Sequence, residues 1–284
     1  MKIKIWGCRG SLAVSGNDTS RYGGNTTCLE IRSNSGAVTI VDAGSGLHNF
    51  GKSVRKKKEI SKFRFLFTHA HWDHLVGFPF FVPAYFSDYS LTFCSGRHVQ
   101  DSIRKYLSYQ MSAPYFPVDF SQLKANFNFH CDNPANDKHN CCCGGLEFLA
   151  FPINHPNGGY GFKFMENGKT FIFVPDNELG FAHENGPGRE EFVNLFNNAD
   201  LLIHDAQYTE DEYRYTRGWG HSTYADTTDL AIDANVKSFG IFHHDPDRTD
   251  NDLDRQVEFC RQRIFAGGGN VLCFAVEEGM EIEL

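Results

Sequence analysis

Within Thr68-His69-Ala70-His71-Trp72-Asp73-His74, four side chains of metal-ligand type fall inside six residues: His69, His71, Asp73 and His74. Imidazole nitrogen and carboxylate oxygen are the donors that a borderline or hard divalent ion prefers. A lone histidine on an apolar face is most often a satisfied core residue. Four donors just past the aromatic run Phe63-Arg64-Phe65-Leu66-Phe67 are poorly explained that way. That run reads as a buried strand, which puts the donors on the loop at its C-terminal end. The chain turns between the first pair and the second, so each pair is expected to face a different ion. Holding divalent metal is the chemistry such a loop serves.

The elements that must carry this loop are legible as alternating short runs. Apolar spacing predicts strands over 2–6, 27–32, 37–42, 63–68, 91–94, 125–130, 146–151, 161–165, 170–174, 201–204, 238–242 and 270–276. It predicts helices over 47–57, 98–110, 189–197, 224–234 and 251–265. Thr223 and Asp250 are the expected N-caps of the last two, and Gly267-Gly268-Gly269 stops the final one. Strands and helices alternate in both halves, which means layered α/β with sheets inside and helices outside. No composition shift marks a linker, and Asn185-Gly186-Pro187-Gly188 reads as a loop leading into a helix. Residues 1–284 are therefore expected to form a single domain. The segment 77–120 gathers Phe78, Phe80, Phe81, Tyr85, Phe86, Tyr109, Tyr115 and Phe116 around four prolines. A core or dimer-face element is the preferred reading, and a wall of the substrate pocket is the functional one.

The 284 residues carry a formal charge of −8, which gives the whole molecule no pull on a polyanion and argues against a large nucleic-acid footprint. Positive charge for a phosphate ester must then be local. Arg9 and Arg21, in Gly-rich loops with Asn25, are candidates for it, with a surface salt bridge as the alternative. The basic run Arg55-Lys56-Lys57-Lys58 ends a predicted helix and reads as solvated. Phe is over-used, at 27, which predicts an aromatic core or an aromatic-lined pocket. No apolar run approaches about 18 residues, so no transmembrane helix and no membrane partner are expected. The N-terminus alternates like a strand and lacks a signal peptide's apolar stretch, so the cytoplasm is the expected compartment. Nine scattered cysteines fit a reduced protein. Cys141-Cys142-Cys143, with His130, Cys131 and His139, lacks the gap of a zinc knuckle, and a cysteine-rich hairpin is the better reading.

His-x-His-x-Asp-His after a strand resembles the metallo-β-lactamase fold, and the other motifs of that superfamily follow in order. Val41-Asp42-Ala43-Gly44 is similar to the motif whose aspartate braces the metal loop. Phe151-Pro152-Ile153-Asn154-His155-Pro156, Val174-Pro175-Asp176 and Phe242-His243-His244 are similar to the remaining ligand motifs. Leu202-Ile203-His204-Asp205-Ala206-Gln207 and Gly220-His221-Ser222-Thr223 resemble the paired motifs of the ribonuclease Z and cyclic-nucleotide phosphodiesterase branch, with Asp205 where tRNA-processing members carry Glu. Trp6-Gly7-Cys8-Arg9-Gly10-Ser11, Arg21-Tyr22-Gly23-Gly24-Asn25-Thr26, Gly77-Phe78-Pro79-Phe80-Phe81 and His243-His244-Asp245-Pro246-Asp247-Arg248 look like a bacterial subgroup of small phosphodiesterases that includes anti-Pycsar enzymes.

The resemblance implies a four-layer αββα sandwich, two mixed sheets flanked by helices, with two divalent ions, Zn foremost and Mn or Fe as the alternatives. One ion would take His69, His71 and His155, the other Asp73, His74 and His243, with Asp176 bridging. His244 is expected to make a supporting or surface contact. Two ions roughly 3.5–4 Å apart can hold a hydroxide near neutrality as the nucleophile, and Asp73 is placed to hydrogen-bond it. A phosphodiester also needs its leaving alkoxide protonated. His221, held basic by Asp205, is the candidate general acid, against the plainer reading of a histidine beside a helix cap. The expected activity is hydrolysis of a small-molecule phosphodiester, 3′,5′-cyclic mononucleotides above all, in a homodimer with no stable nucleic-acid partner. A tRNA 3′-end endonuclease, a lactonase or other ester hydrolase, and a non-catalytic metal-binding module are the rivals. No basic tRNA-gripping arm is evident.

Overall fold

In the first strand, Lys2–Gly7 (β1), Ile3 and Ile5 are buried while Lys2 is exposed, the period-two pattern of a strand with one face inward. The computed structural model describes residues 1–94, 97–129, 140–143 and 146–284. β1 is joined by β2 (Cys28–Arg32), β3 (Val38–Val41), β4 (Lys62–Leu66), β5 (Ser90–Phe93) and β6 (Asn126–Asn128). A second set comprises β7 (Asn140–Cys143), β8 (Leu146–Pro152), β9 (Tyr160–Glu166), β10 (Lys169–Val174), β11 (Leu201–Asp205), β12 (Ser238–Phe242) and β13 (Leu272–Ala275). The last strand, β14 (Glu281–Glu283), returns to pair with β1. The sheet orders are β14-β1-β2-β3-β4-β5-β6 and β13-β12-β11-β10-β9-β8-β7. Each sheet is antiparallel in one half and parallel in the other, with β3 to β6 and β10 to β13 parallel.

Three apolar clusters define the layers. Ile3, Ile31, Val41 and Leu66 of the first sheet share one cluster with Phe162, Phe164, Phe171 and Phe173 of the second, so the sheets pack face to face. The outer face of the first sheet is covered by α1 (Gly46–Lys57) and α2 (Arg97–Gln110). That of the second is covered by α3 (Arg189–Phe196), α5 (Tyr224–Asp233) and α6 (Asp250–Ala266). In α6 the buried positions Leu253, Val257, Cys260 and Ile264 recur at helical spacing. α4 (Glu210–Thr216) buries no residue and lies on the surface.

Two expectations need correction. The N-cap of α6 is Thr249, not Asp250: the Thr249 side chain accepts from the Asp252 N–H and the Asp252 carboxylate accepts from the Thr249 N–H. The Asp250 carboxylate is instead used by the Arg21 and Tyr22 N–H groups. The segment 77–120 divides between its two readings. Phe78 and Phe81 are core, while Phe80, Tyr109 and Tyr115 are exposed. His130, Cys131 and His139 lie outside the described residues; Asn140–Cys143 pairs antiparallel with β8.

Candidate metal centre

Strand ends converge here. β3 leads into Asp42, β4 into His69 and β10 into Asp176, β11 ends at Asp205, and β12 leads into His243. β10, β11 and β12 are parallel neighbours, so their C-terminal ends share one edge. Asp42 and His243 adopt left-handed backbone, with φ of 62° and 59°. Such conformations cost a non-glycine residue about 1–3 kcal/mol and persist where the surroundings over-determine them.

Asp42 fixes the metal loop. Its buried carboxylate accepts from the Thr68 N–H and hydroxyl, each at 2.8 Å, and from His74 Nδ1 at 2.8 Å. That bond turns His74 Nε2 inward, 3.1 Å from Asp176 Oδ1 and 3.2 Å from Asp73 Oδ2. His155 is oriented the same way: Nδ1 donates to the Gly220 carbonyl at 2.8 Å, and Nε2 lies 3.0 Å from His71 Nδ1. His243 Nδ1 donates to Gln207 Oε1 at 2.9 Å, leaving Nε2 at 3.2 Å from Asp73 and 3.4 Å from Asp176. The pattern of one ring nitrogen held and the other presented is how metal-binding histidines are prepared.

The structure thus brings all seven ligand-type residues together. His69, His71 and His155 form one group of donors within 4.8 Å of one another, and Asp73, His74 and His243 form another. Asp176 lies among His74, His69 and His243, at 3.1, 3.7 and 3.4 Å. Three of these atoms, His69 Nε2, His74 Nε2 and Asp176 Oδ1, are buried without a hydrogen bond. Orphaned polar atoms of this kind are costly unless a further group satisfies them, so the donor set fits divalent ions. Burial also holds His155 in its neutral, ligating form, with a pKa pushed down to about 3, and holds His69 well below the usual range.

Beside this cluster His221 donates from Nδ1 to Asp205 Oδ2 at 2.8 Å and stacks on His243 at 4.7 Å between ring centroids. Burial disfavours a charged imidazole, but the Asp205 carboxylate overcomes it and raises the His221 pKa to about 9. Asp205 also accepts from the Asn177 and Gln207 N–H groups, which hold it in place. A cavity of about 960 Å³ opens over His69, His71 and His155, and Trp72, Tyr106 and Tyr109 line it.

The profile of a family described as Beta-lactamase superfamily domain matches residues 39–244. The chain belongs to that superfamily. The ribonuclease Z of Lactiplantibacillus plantarum is 23% identical over 278 residues, covering 85% of this chain and 88% of the relative. The metallo-β-lactamase-fold protein YhfI from Bacillus subtilis superposes with a TM-score of 0.70 at 15% identity, covering 100% of this chain and 98% of that one. A diphosphatase from the PhnP family superposes with a TM-score of 0.67 at 14% identity, covering 100% and 97%. The two mixed sheets flanked by helices are the fold of those structures. As a superfamily member carrying this donor cluster, the chain is a metal-dependent hydrolase.

The structure separates the alternatives left open for Arg9, Arg21 and His244. Arg9 does not reach for phosphate: it is fully buried and donates to the carbonyls of Gly23, Asp245 and Arg248. Arg21 pairs with Asp254 on the surface, and Asn25 donates to Glu278 and accepts from Ser45. His244 is buried, donating to the Val276 carbonyl at 2.7 Å. Three groups near the ions' donors went unread in the sequence: the Gly220 carbonyl, Gln207, and the Ser11 N–H, which donates to Asp73 Oδ2 at 3.0 Å. Gln207 ends the motif Leu202–Gln207; the two backbone groups carry no residue-type signal.

Proposed function

We propose that the protein is a two-metal phosphodiesterase acting on small cyclic nucleotides, 3′,5′-cyclic mononucleotides above all. The observation that carries the reaction class is the Asp205–His221 pair, joined at 2.8 Å beside the donor cluster. Breaking a phosphodiester produces an alkoxide, and that leaving group calls for a proton donor.

His69, His71 and His155 would hold one ion and Asp73, His74 and His243 the other, with Asp176 between them; Zn, Mn and Fe all suit such donors. Bound there, divalent ions supply an activated water at neutral pH and neutralise charge on the phosphoryl oxygens. The chain's own residues do the rest. His221, whose charged form Asp205 favours, carries a proton from Nε2 to the leaving oxygen. Asp205 holds the Nδ1–H, so Nε2 is the nitrogen that gives up its proton. Asp73, oriented by the Ser11 N–H, is placed to receive a hydrogen bond from the attacking water. Trp72, Tyr106 and Tyr109 give the cavity a wall on which a nucleobase can stack.

The test is a hydrolysis panel of cyclic mononucleotides, cyclic dinucleotides and a chromogenic phosphodiester, run with Zn and with Mn. Release of nucleoside monophosphate from the first class supports the reading. A metal-loaded protein that leaves every cyclic nucleotide intact sinks the substrate class. One observation favours a second reading, tRNA 3′-end cleavage: the similarity to ribonuclease Z runs over 85% of the chain. Cleavage of a precursor tRNA at near-physiological salt would establish it, against the handicap of a −8 charge.

A further inference from the structure

Glu178 lies two residues beyond Asp176, is completely buried, and takes no part in the chemistry described above. Its carboxylate is saturated by four donors. Oε1 accepts from the Tyr213 hydroxyl and the Gly218 N–H, both at 2.7 Å. Oε2 accepts from the Gly220 N–H and from His183 Nε2, both at 2.8 Å. Its own N–H donates to the carbonyl of Asn154, the residue before His155, at 2.8 Å.

The loop 218–221 presses directly on a donor of the metal centre. A β-carbon on Gly220 would sit 2.1 Å from His155 Nδ1, and the Gly220 φ of +97° is one that L residues rarely adopt. The Gly220 carbonyl is the group that fixes the His155 ring, and the next residue is His221. A single carboxylate therefore anchors the peptide that orients His155 on one side and carries His221 on the other.

We propose that Glu178 is a positioning residue that sets His155 and His221 relative to each other through the Gly218–His221 loop. The proposal rests on the two-metal phosphodiesterase reading. Its physical basis is that groups orienting a metal-binding histidine typically change metal affinity about 10–100-fold when lost. Glutamine cannot substitute, because its amide nitrogen would meet N–H donors where Glu178 presents oxygen.

The test uses full-length protein carrying Glu178→Gln or the charge-retaining but shorter Glu178→Asp, with Tyr213→Phe as a control. Tyr213→Phe removes the one donor that belongs neither to the loop nor to the cavity lining. Zn²⁺ affinity is measured by chelator competition, the ligand field by the visible spectrum of the Co²⁺ protein, and turnover on bis(p-nitrophenyl) phosphate. Glu178→Gln is expected to weaken one of the two ions about 10–100-fold and leave the other within about twofold. The Co²⁺ spectrum should change and kcat should fall at least about tenfold at similar KM. Glu178→Asp should shift the same ion in the same direction, and decides the matter if Glu178→Gln does not fold. Tyr213→Phe should keep the wild-type spectrum. Wild-type Zn²⁺ affinity and Co²⁺ spectrum in either folded Glu178 variant would overturn the proposal. If the wild type itself cuts neither this diester nor any cyclic nucleotide, the phosphodiesterase reading falls, and the metal and spectral measurements still decide the role of Glu178.

Discussion

His221 can be separated from a merely structural histidine by the leaving group it serves. His221→Ala should lower kcat about 10²–10⁴-fold on a cyclic nucleotide, whose leaving alkoxide needs a proton. The loss should be far smaller with p-nitrophenolate as leaving group, and metal content should be retained. Equal losses on both substrates would assign His221 to folding or binding instead. A second buried imidazole, His204, makes a prediction about stability. It donates from Nδ1 to the Asp205 carbonyl and accepts at Nε2 from Asn177, and burial pushes its pKa down to about 4. Unfolded, it takes up a proton near about pH 6.5. Between those two values the unfolded chain holds more protons, so stability falls as pH drops through that window and is unaffected above it. The difference amounts to roughly 3 kcal/mol once both are titrated. His204→Gln should flatten the fall of the urea midpoint from about pH 6.5 to 4 relative to the parent. Parallel curves for the two proteins would refute that assignment.

Among the elements, α2 and the metal loop supply the aromatic side of the cavity, with Trp72, Tyr106 and Tyr109 exposed at 74%, 41% and 65%. Aromatic side chains this exposed add little to folding, so Trp72→Ala and Tyr109→Ala should leave the melting temperature nearly unchanged. Each should raise KM for a base-bearing cyclic nucleotide about 5- to 150-fold, the equivalent of about 1–3 kcal/mol of stacking. KM for a cyclic sugar phosphate without a base should stay put; a parallel rise would remove the stacking role. The metal loop was legible in the sequence because four donors crowd behind one aromatic strand. His155, Asp176 and His243 were legible only through motif resemblance, because tertiary pairing of β8 to β12 is what gathers their strand ends. α4 escaped because it has no buried face to impose a period, although Thr209 and Glu212 form a capping box at its start. β14, Glu281–Glu283, is too short and too charged to read as a strand and owes that state to β1. Asp250 misled because two good capping residues stand side by side, and the reciprocal bond with Asp252 selects Thr249.

For the molecule as a whole, the donors come from both sheets: His69, His71, Asp73 and His74 follow β4, while His155, Asp176 and His243 follow strands of the second sheet. Metal bound between them would tie the two sheets together across their shared core. Metal should therefore add to stability by mass action, about 4 kcal/mol at a free concentration a thousandfold above Kd. For a domain of this size that corresponds to roughly 7 °C. Stripping the protein with a chelator should lower its melting temperature by such an amount, and restoring Zn or Mn should reverse it. A melting temperature indifferent to chelation would show that the cluster holds no ion of consequence.

The same division of donors has a bearing on how the protein is made. Ribosomal synthesis runs from the N-terminus, so the loop after β4 emerges with four ligands long before the chain reaches His243. During that interval the loop is an open, incomplete chelator, able to take whichever cation the surroundings offer. Only after β12 is threaded beside β11 is the set complete. A complete donor set therefore exists only once the second sheet has assembled beside the first.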